Sequence, residues 1–248
     1  MSVQACAELV RRGDPDRFLA VMAAPPDARG PLFAIYAFNV EIARAPWVTE
    51  ETMIAEMRLQ WWRDALAEIA ENRPVRAHEV TTPLARVLTG EAAVVLDRLV
   101  QARRWDIYRD PFEDADHFSA YLDQTAGGLT WVAAQATGAT EGEAAVRDIA
   151  WASGLANWLL AIPELKARGR LPLVDGRETA IRDLAQSGLD RLGRAVAPKS
   201  ARAALLATWR AGHLLQRAVA DPSRVAAGAL PGSEFRRRLG LLWRSIAG

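Results

Sequence analysis

Leu32-Phe33-Ala34-Ile35-Tyr36-Ala37-Phe38-Asn39-Val40-Glu41-Ile42-Ala43-Arg44 decides the fold class. Leu32, Ile35, Tyr36 and Asn39 fall at i, i+3, i+4 and i+7, so they share neighbouring turns of a helix and cannot alternate across a strand. Pro25-Pro26 stops any helix before this one and Pro46 breaks the chain after it, which predicts a helix over Asp27–Arg44. The same helical spacing extends outward in both directions. Asp14-Pro15-Asp16 starts a helix through Phe18 and Met22, and Thr49 caps a long one through Met57, Trp61 and Leu66 to Glu71, its early glutamates suiting the dipole. Asn72–Thr82 reads as a polar loop, with helices expected near Pro83–Leu88 and over Glu91–Tyr108. After the Asp110-Pro111 turn, helices are expected over Asp114–Thr137, interrupted at Gly127-Gly128, and over Glu141–Ala167. Gly169–Gly176 reads as irregular, and Asp175–Ser187, Ser200–Val219 and Glu234–Ile246 complete an all-α set. No period-two strand, internal repeat or low-complexity linker appears, so residues 1–248 are read as one domain.

Composition narrows the function classes. Thirty-one Lys+Arg against thirty Asp+Glu leave the 248-residue chain almost neutral, which offers no surplus of positive charge for a nucleic-acid backbone. Cys6 is the sole cysteine, so no internal disulfide or Cys-rich metal site can form, and a reducing, cytoplasmic or matrix-like compartment fits. Met1–Arg12 lacks the apolar core of a secretory signal, and the longest apolar passage, Gly128–Ala139, is too short to span a bilayer. Nine tryptophans against three tyrosines and six phenylalanines leave two readings: core packing between helices, or the lining of an apolar cavity or interface.

The motifs of several chemistries are missing. His78, His117 and His213 stand in no zinc or di-iron spacing, and there is no nucleophile elbow, P-loop or dinucleotide fingerprint. Ionising an allylic diphosphate requires carboxylates four residues apart on facing helices, where they chelate Mg²⁺ and neutralise the leaving group. Asp106 and Asp110 have the spacing but sit at a helix end against Pro111, and Glu50, Glu51 and Glu56 are accounted for by a helix dipole.

Four segments together resemble the squalene/phytoene synthase family. Leu32–Phe38 is similar to the helix entering that family's first aspartate-rich motif, and Met57–Leu66 to its tryptophan-containing helix. Tyr121-Leu122-Asp123-Gln124-Thr125-Ala126-Gly127-Gly128 resembles the helix that kinks beside the substrate cavity. Asn157-Trp158-Leu159-Leu160 through Arg168-Gly169-Arg170-Leu171-Pro172 resembles the second aspartate motif and its basic turn. These segments span about Arg17–Pro172 and imply an isoprenoid-synthase-like helical bundle around a central cavity.

The resemblance also exposes a departure. The positions matching the family's acidic ligands are Ala43, Arg44 and Trp47 in the first motif and Ala161 and Leu165 in the second. Such residues would not hold magnesium, and Arg44 would repel it, so no metal or other cofactor is expected and the chain is read as catalytically silent. The rival reading, a Mg²⁺-dependent prenyltransferase joining two prenyl diphosphates, would have to rebuild the site from Glu41 and Glu164. Ala37–Ala43, Met57–Trp62 and Ala161-Ile162-Pro163 narrow the match to a divergent branch that includes a respiratory complex I assembly factor. That branch implies a binding role, with inner-membrane respiratory subunits or assembly proteins as partners, a peripheral membrane location and an isoprenoid or lipid ligand.

By the same analogy Tyr36, Asn39, Gln60, Tyr121, Gly127 and Asn157 would line the cavity; for the polar ones among them, a hydrogen-bonded core network is the other reading. Arg168 and Arg170 either contact a phosphate or anionic headgroup or merely balance the negative end of a helix dipole. Arg236-Arg237-Arg238 followed by Leu239, Leu242, Trp243 and Ile246 makes a basic amphipathic helix suited to a membrane surface, a partner groove or the bundle itself.

Overall fold

Fourteen helices order the chain in a computed structural model that describes residues 3–231, and no strand occurs among those residues. The first six are α1 (Val3–Gly13), α2 (Pro15–Ala23), α3 (Pro26–Arg44), α4 (Thr52–Ala70), the single turn α5 (Thr81–Leu84) and α6 (Gly90–Arg103). Then come the single turn α7 (Trp105–Tyr108), α8 (Ala115–Leu122), α9 (Gly128–Ala136) and α10 (Glu143–Ala167). The last are α11 (Glu178–Arg194), the short α12 (Arg202–Leu205), α13 (Ala211–Ala220) and the short α14 (Ser223–Ala226). The basic amphipathic segment at residues 236–246 lies outside the described residues.

Most expected helices form, and the differences have local causes. Asp14 caps α2, its side chain accepting from the Arg17 N–H at 2.9 Å, with Pro15 in the first turn. Thr49 does not cap α4. Its hydroxyl accepts from the Glu51 N–H in a preceding turn, and the helix starts three residues later behind Glu51, whose side chain makes no capping bond. The helix expected over Glu91–Tyr108 is divided between α6 and α7. In Ser200–Val219, 3₁₀ turns on either side of α12 replace a continuous helix. The periodicity does not announce α1, which buries Cys6, Leu9 and Val10 against α3.

α3 runs through the first of two apolar clusters. Every residue from Leu32 to Val40 is buried, which accounts for its near absence of a polar face. α1, α2, α4, α6, α9 and α12 supply most of the rest of that cluster, and α8, α10, α11 and α13 supply most of the second. Among the described residues five tryptophans (Trp62, Trp131, Trp151, Trp158 and Trp209) are buried, so core packing absorbs much of this large aromatic area.

Two backbone features place the site. Between α8 and α9 the residues Asp123–Gly127 form a π-helical turn at the expected glycine interruption, and the Thr125 hydroxyl donates to the Tyr121 carbonyl at 2.6 Å. This turn packs on α10 at Gly154, where an added Cβ would stand 2.7 Å from the Ala126 Cβ. At the end of α10, Gly169 adopts φ 75°. The Gly169 N–H donates to Lys166 and the Arg170 N–H to Leu165, which closes the helix and turns Arg170 back into the protein.

Candidate functional site

A cavity of about 880 Å³ opens between the two apolar clusters. α3 supplies Asn39, Glu41, Ala43 and Arg44, with Trp47 just beyond its end. α8 and the π turn supply Tyr121 and Thr125, and α10 supplies Asn157, Trp158, Ala161 and Leu165. The start of the chain adds Arg12, Asp14, Asp16 and Arg17, and Arg210 reaches in to pair with Asp16.

Tyr121 belongs to the most constrained group in this cavity. Its hydroxyl donates to the Asp106 carboxylate at 2.9 Å and accepts from Arg103 at 2.7 Å, while Arg103 also reaches Asp106 at 3.1 Å. Asp106 is only 3% exposed, and both of its carboxylate oxygens are satisfied by protein groups. Burial pushes the Tyr121 phenol well above its ordinary pKa, although Arg103 opposes the shift. Burial pulls the Arg103 guanidinium downward, but the negative potential of Tyr121 and Asp106 outweighs it and the net shift is upward. The triad is therefore a fixed polar wall rather than a ready proton donor or acceptor. Below it, Trp105 stacks on Phe112 with centroids 4.0 Å apart, and Tyr121, Phe112 and Phe118 surround Trp158. Trp105, Phe112 and Phe118 stand behind the lining; the cavity itself presents the rings of Trp47, Tyr121 and Trp158 among mostly polar and charged side chains, which suits an amphiphilic ligand.

The expected cavity residues separate into two groups. Asn39, Tyr121 and Asn157 line the cavity. Tyr36 turns instead into the core, where its hydroxyl donates to the Ala204 carbonyl. Gln60 is exposed and donates to Asp64, and Gly127 is buried in the π turn, so neither lines it. Of the two acids in the rival catalytic reading, Glu41 lines the cavity and pairs with Arg44 at 3.3 Å; Glu164 lies outside, exposed and paired with Arg168 at 2.8 Å. They do not converge on one ion.

Ala43, Trp47, Ala161 and Leu165 all line the cavity, as does Arg44, so the positions that the resemblance matches to acidic ligands present methyl groups, an isobutyl group, an indole and a cation. Divalent magnesium needs oxygen donors. These side chains offer none, and among the described residues no cluster of three or more histidine, cysteine or acidic side chains is placed to hold a metal.

Sequence reasoning missed Arg103 and undervalued Asp106. Asp106 and Asp110 have the spacing of a helical pair, but the left-handed Arg109 (φ 61°) separates the two, leaving Asp106 buried and Asp110 exposed. The usable signal was Arg103-x-x-Asp106, an i, i+3 ion pair leading into an aromatic-rich turn.

An all-α bundle with a cavity walled by α3, α8 and α10 has the architecture of the isoprenoid synthases. Over 99% of its length the chain superposes on a dehydrosqualene synthase with a TM-score of 0.80, covering 95% of that chain at 14% identity. It also superposes on a squalene synthase from Alicyclobacillus acidocaldarius, with a TM-score of 0.60, 99% of this chain and 92% of the other covered, and 18% identity. The squalene/phytoene synthase family pattern matches residues 10–228, and the chain belongs to that family. Among its relatives, a Drosophila melanogaster homologue of NADH dehydrogenase (ubiquinone) complex I assembly factor 6 is 30% identical over 181 residues, covering 68% of this chain and 53% of the relative. The Homo sapiens assembly factor 6 is 26% identical over 161 residues, covering 64% and 48%. The chain thus spans about half the length of these curated relatives.

Proposed function

We propose that this squalene/phytoene synthase-like protein acts by binding rather than by turnover, and that it serves the assembly of respiratory complex I. One observation carries the first part: a cavity of about 880 Å³ persists while the positions for its metal ligands hold Ala43, Arg44, Trp47, Ala161 and Leu165. Loss of carboxylates removes the preorganised charge that would stabilise a departing diphosphate, yet it does not fill the cavity. The rings of Trp47 and Trp158, with Ala43, Ala161 and Leu165, give the cavity an apolar wall suited to an isoprenoid or lipid chain. The second part rests on the relatives named as complex I assembly factor 6 and implies inner-membrane subunits or assembly proteins as partners. No helix among the described residues is long and apolar enough to cross a membrane.

The test is incubation of the purified protein with farnesyl and geranylgeranyl diphosphates and Mg²⁺, following diphosphate release and lipid products beside an active family member. The expected result is no release above the protein-free control. Robust turnover would overturn the binding reading, and its loss in Glu41→Gln would then identify Glu41 as part of a rebuilt site.

A further inference from the structure

A second cavity, of about 510 Å³, lies on the other side of Trp47, which among the described residues alone lines both. Its chemistry differs from that of the central cavity. Arg170, Arg168 and Arg109 converge on it, with Trp47 as a shared wall. The Arg168 and Arg170 guanidinium carbons lie 4.7 and 4.9 Å from the Trp47 ring centre.

Arg170 is the decisive residue. It is 5% exposed, and only one of its nitrogens is satisfied: Nη2 donates to the Asp106 backbone carbonyl, while Nε and Nη1 have no hydrogen-bond partner among the described residues. No carboxylate among those residues pairs with it, since both oxygens of the Asp106 side chain are taken by Tyr121 and Arg103. Burying a guanidinium with two unmet donors is costly unless something completes it. The like-charged neighbours Arg109 and Arg168 deepen the deficit. Arg109 forms no ion pair among the described residues, whereas Arg168 is balanced by Glu164.

A second feature points the same way. Thr52 and Ala55, in the first turn of the 19-residue α4, line this cavity, and no side chain caps that helix. Ile54 and Ala55 donate to the Glu51 carbonyl, and the helix start at Thr52, with the positive end of the dipole, borders the same space as the arginines. Among the described residues Glu50 is the one carboxylate in the lining, and it offsets part of this charge.

We infer that this cavity is an anion site for a phosphate ester, in which Arg170, Arg109 and the first turn of α4 hold the phosphoryl oxygens against Trp47. A volume of about 510 Å³ is more than an inorganic ion fills, so the phosphate would carry an organic group. A soluble phosphorylated metabolite and a phospholipid headgroup present the same chemistry. The site is independent of the central cavity and of any role in complex assembly, so either reading can fail without the other.

Two arms of one experiment separate the sources. Calorimetric titration of the full chain with glycerol 3-phosphate tests a soluble ligand. Co-sedimentation with phosphatidylcholine vesicles, with and without phosphatidylglycerol, tests a headgroup. Arg170→Gln should weaken whichever interaction is seen by about tenfold or more, as expected for lost charge-assisted bonds. The exposed Arg109→Gln, which leaves the fold's hydrogen bonds untouched, should weaken it by about two- to fivefold, while Arg86→Gln elsewhere on the surface should not. Saturable glycerol 3-phosphate binding, or sedimentation only with phosphatidylglycerol, supports the site when it shows this pattern. Binding in neither arm overturns it, as does binding that responds equally to Arg86→Gln or ignores Arg109→Gln.

Discussion

Tyr36 and Tyr121 begin as equivalent residues, each a phenol on an apolar helix and each expected beside the cavity. Both are buried, yet they meet different surroundings. Tyr36, in the middle of α3, faces α12 and spends its hydroxyl on one backbone carbonyl, with the Arg17 guanidinium 5.3 Å from its ring centre. Tyr121, at the end of α8 where the π turn begins, faces the cavity and joins two charged side chains. The difference teaches that burial alone does not mark a site residue. What distinguishes Tyr121 is that its partners are ionic side chains from another segment, so its removal would disturb a charge balance rather than a single bond.

The largest effect should come from breaking that balance. Asp106→Ala leaves Arg103 without a carboxylate in a mostly buried position and is expected to destabilise the fold by about 3–5 kcal/mol, read from the shift of a urea unfolding midpoint at neutral pH. A loss below about 1 kcal/mol would mean that water already screens the triad and that the contrast with Tyr36 is false. Tyr121→Phe should cost less, about 1.5–3 kcal/mol, because Arg103 and Asp106 keep each other while losing a shared hydroxyl. In the double variant the costs should not add, since both changes remove parts of one network. Strict additivity would show the three groups acting separately.

How much of this was legible in the sequence depends on the kind of force involved. The helices were readable because apolar periodicity and proline breaks act locally, and an interruption was readable at Gly127-Gly128, though not its π-helical form over Asp123–Gly127. Ala43, Arg44, Trp47, Ala161 and Leu165 could be placed in the cavity walls because their positions within α3 and α10, or just past the end of α3, fix their direction once the bundle is known. The orientations of Tyr36 and Gln60 were not readable, since a polar residue on an apolar helix finds a carbonyl, a neighbour or a cavity according to what packs opposite it. Asp106 was hidden for another reason. Arg103 stands one helical turn before it, but Tyr121 is brought in only by the turn that follows the left-handed Arg109, which no periodicity announces. The bare donors of Arg170 likewise depend on the Gly169 turn and on which segments close around it.

The smallest expected effect tests Tyr36 through its proton. Burial, opposed by Arg17 and aided by Asp14, pushes its phenol from 10.0 up to about 12. In the unfolded chain the phenol ionises near pH 10, while in the folded protein it stays protonated to about pH 12. Within that window the unfolded state binds fewer protons, so stability falls as pH rises; below it the two states match and this residue contributes no slope. Between pH 10 and 11 the loss should be about 1 kcal/mol, measurable as a falling urea midpoint. Tyr121 shifts in the same direction, so the wild-type slope combines both phenols. The informative quantity is consequently the difference between wild type and Tyr36→Phe. At neutral pH that variant should lose only about 1 kcal/mol for one neutral hydrogen bond, and above pH 10 it should recover that deficit relative to wild type as its missing phenol no longer titrates. If the deficit stays constant from pH 7 to 11, Tyr36 ionises as freely in the fold as outside it. Its burial in the core would then be wrong, and the distinction between the two tyrosines would collapse from the Tyr36 side.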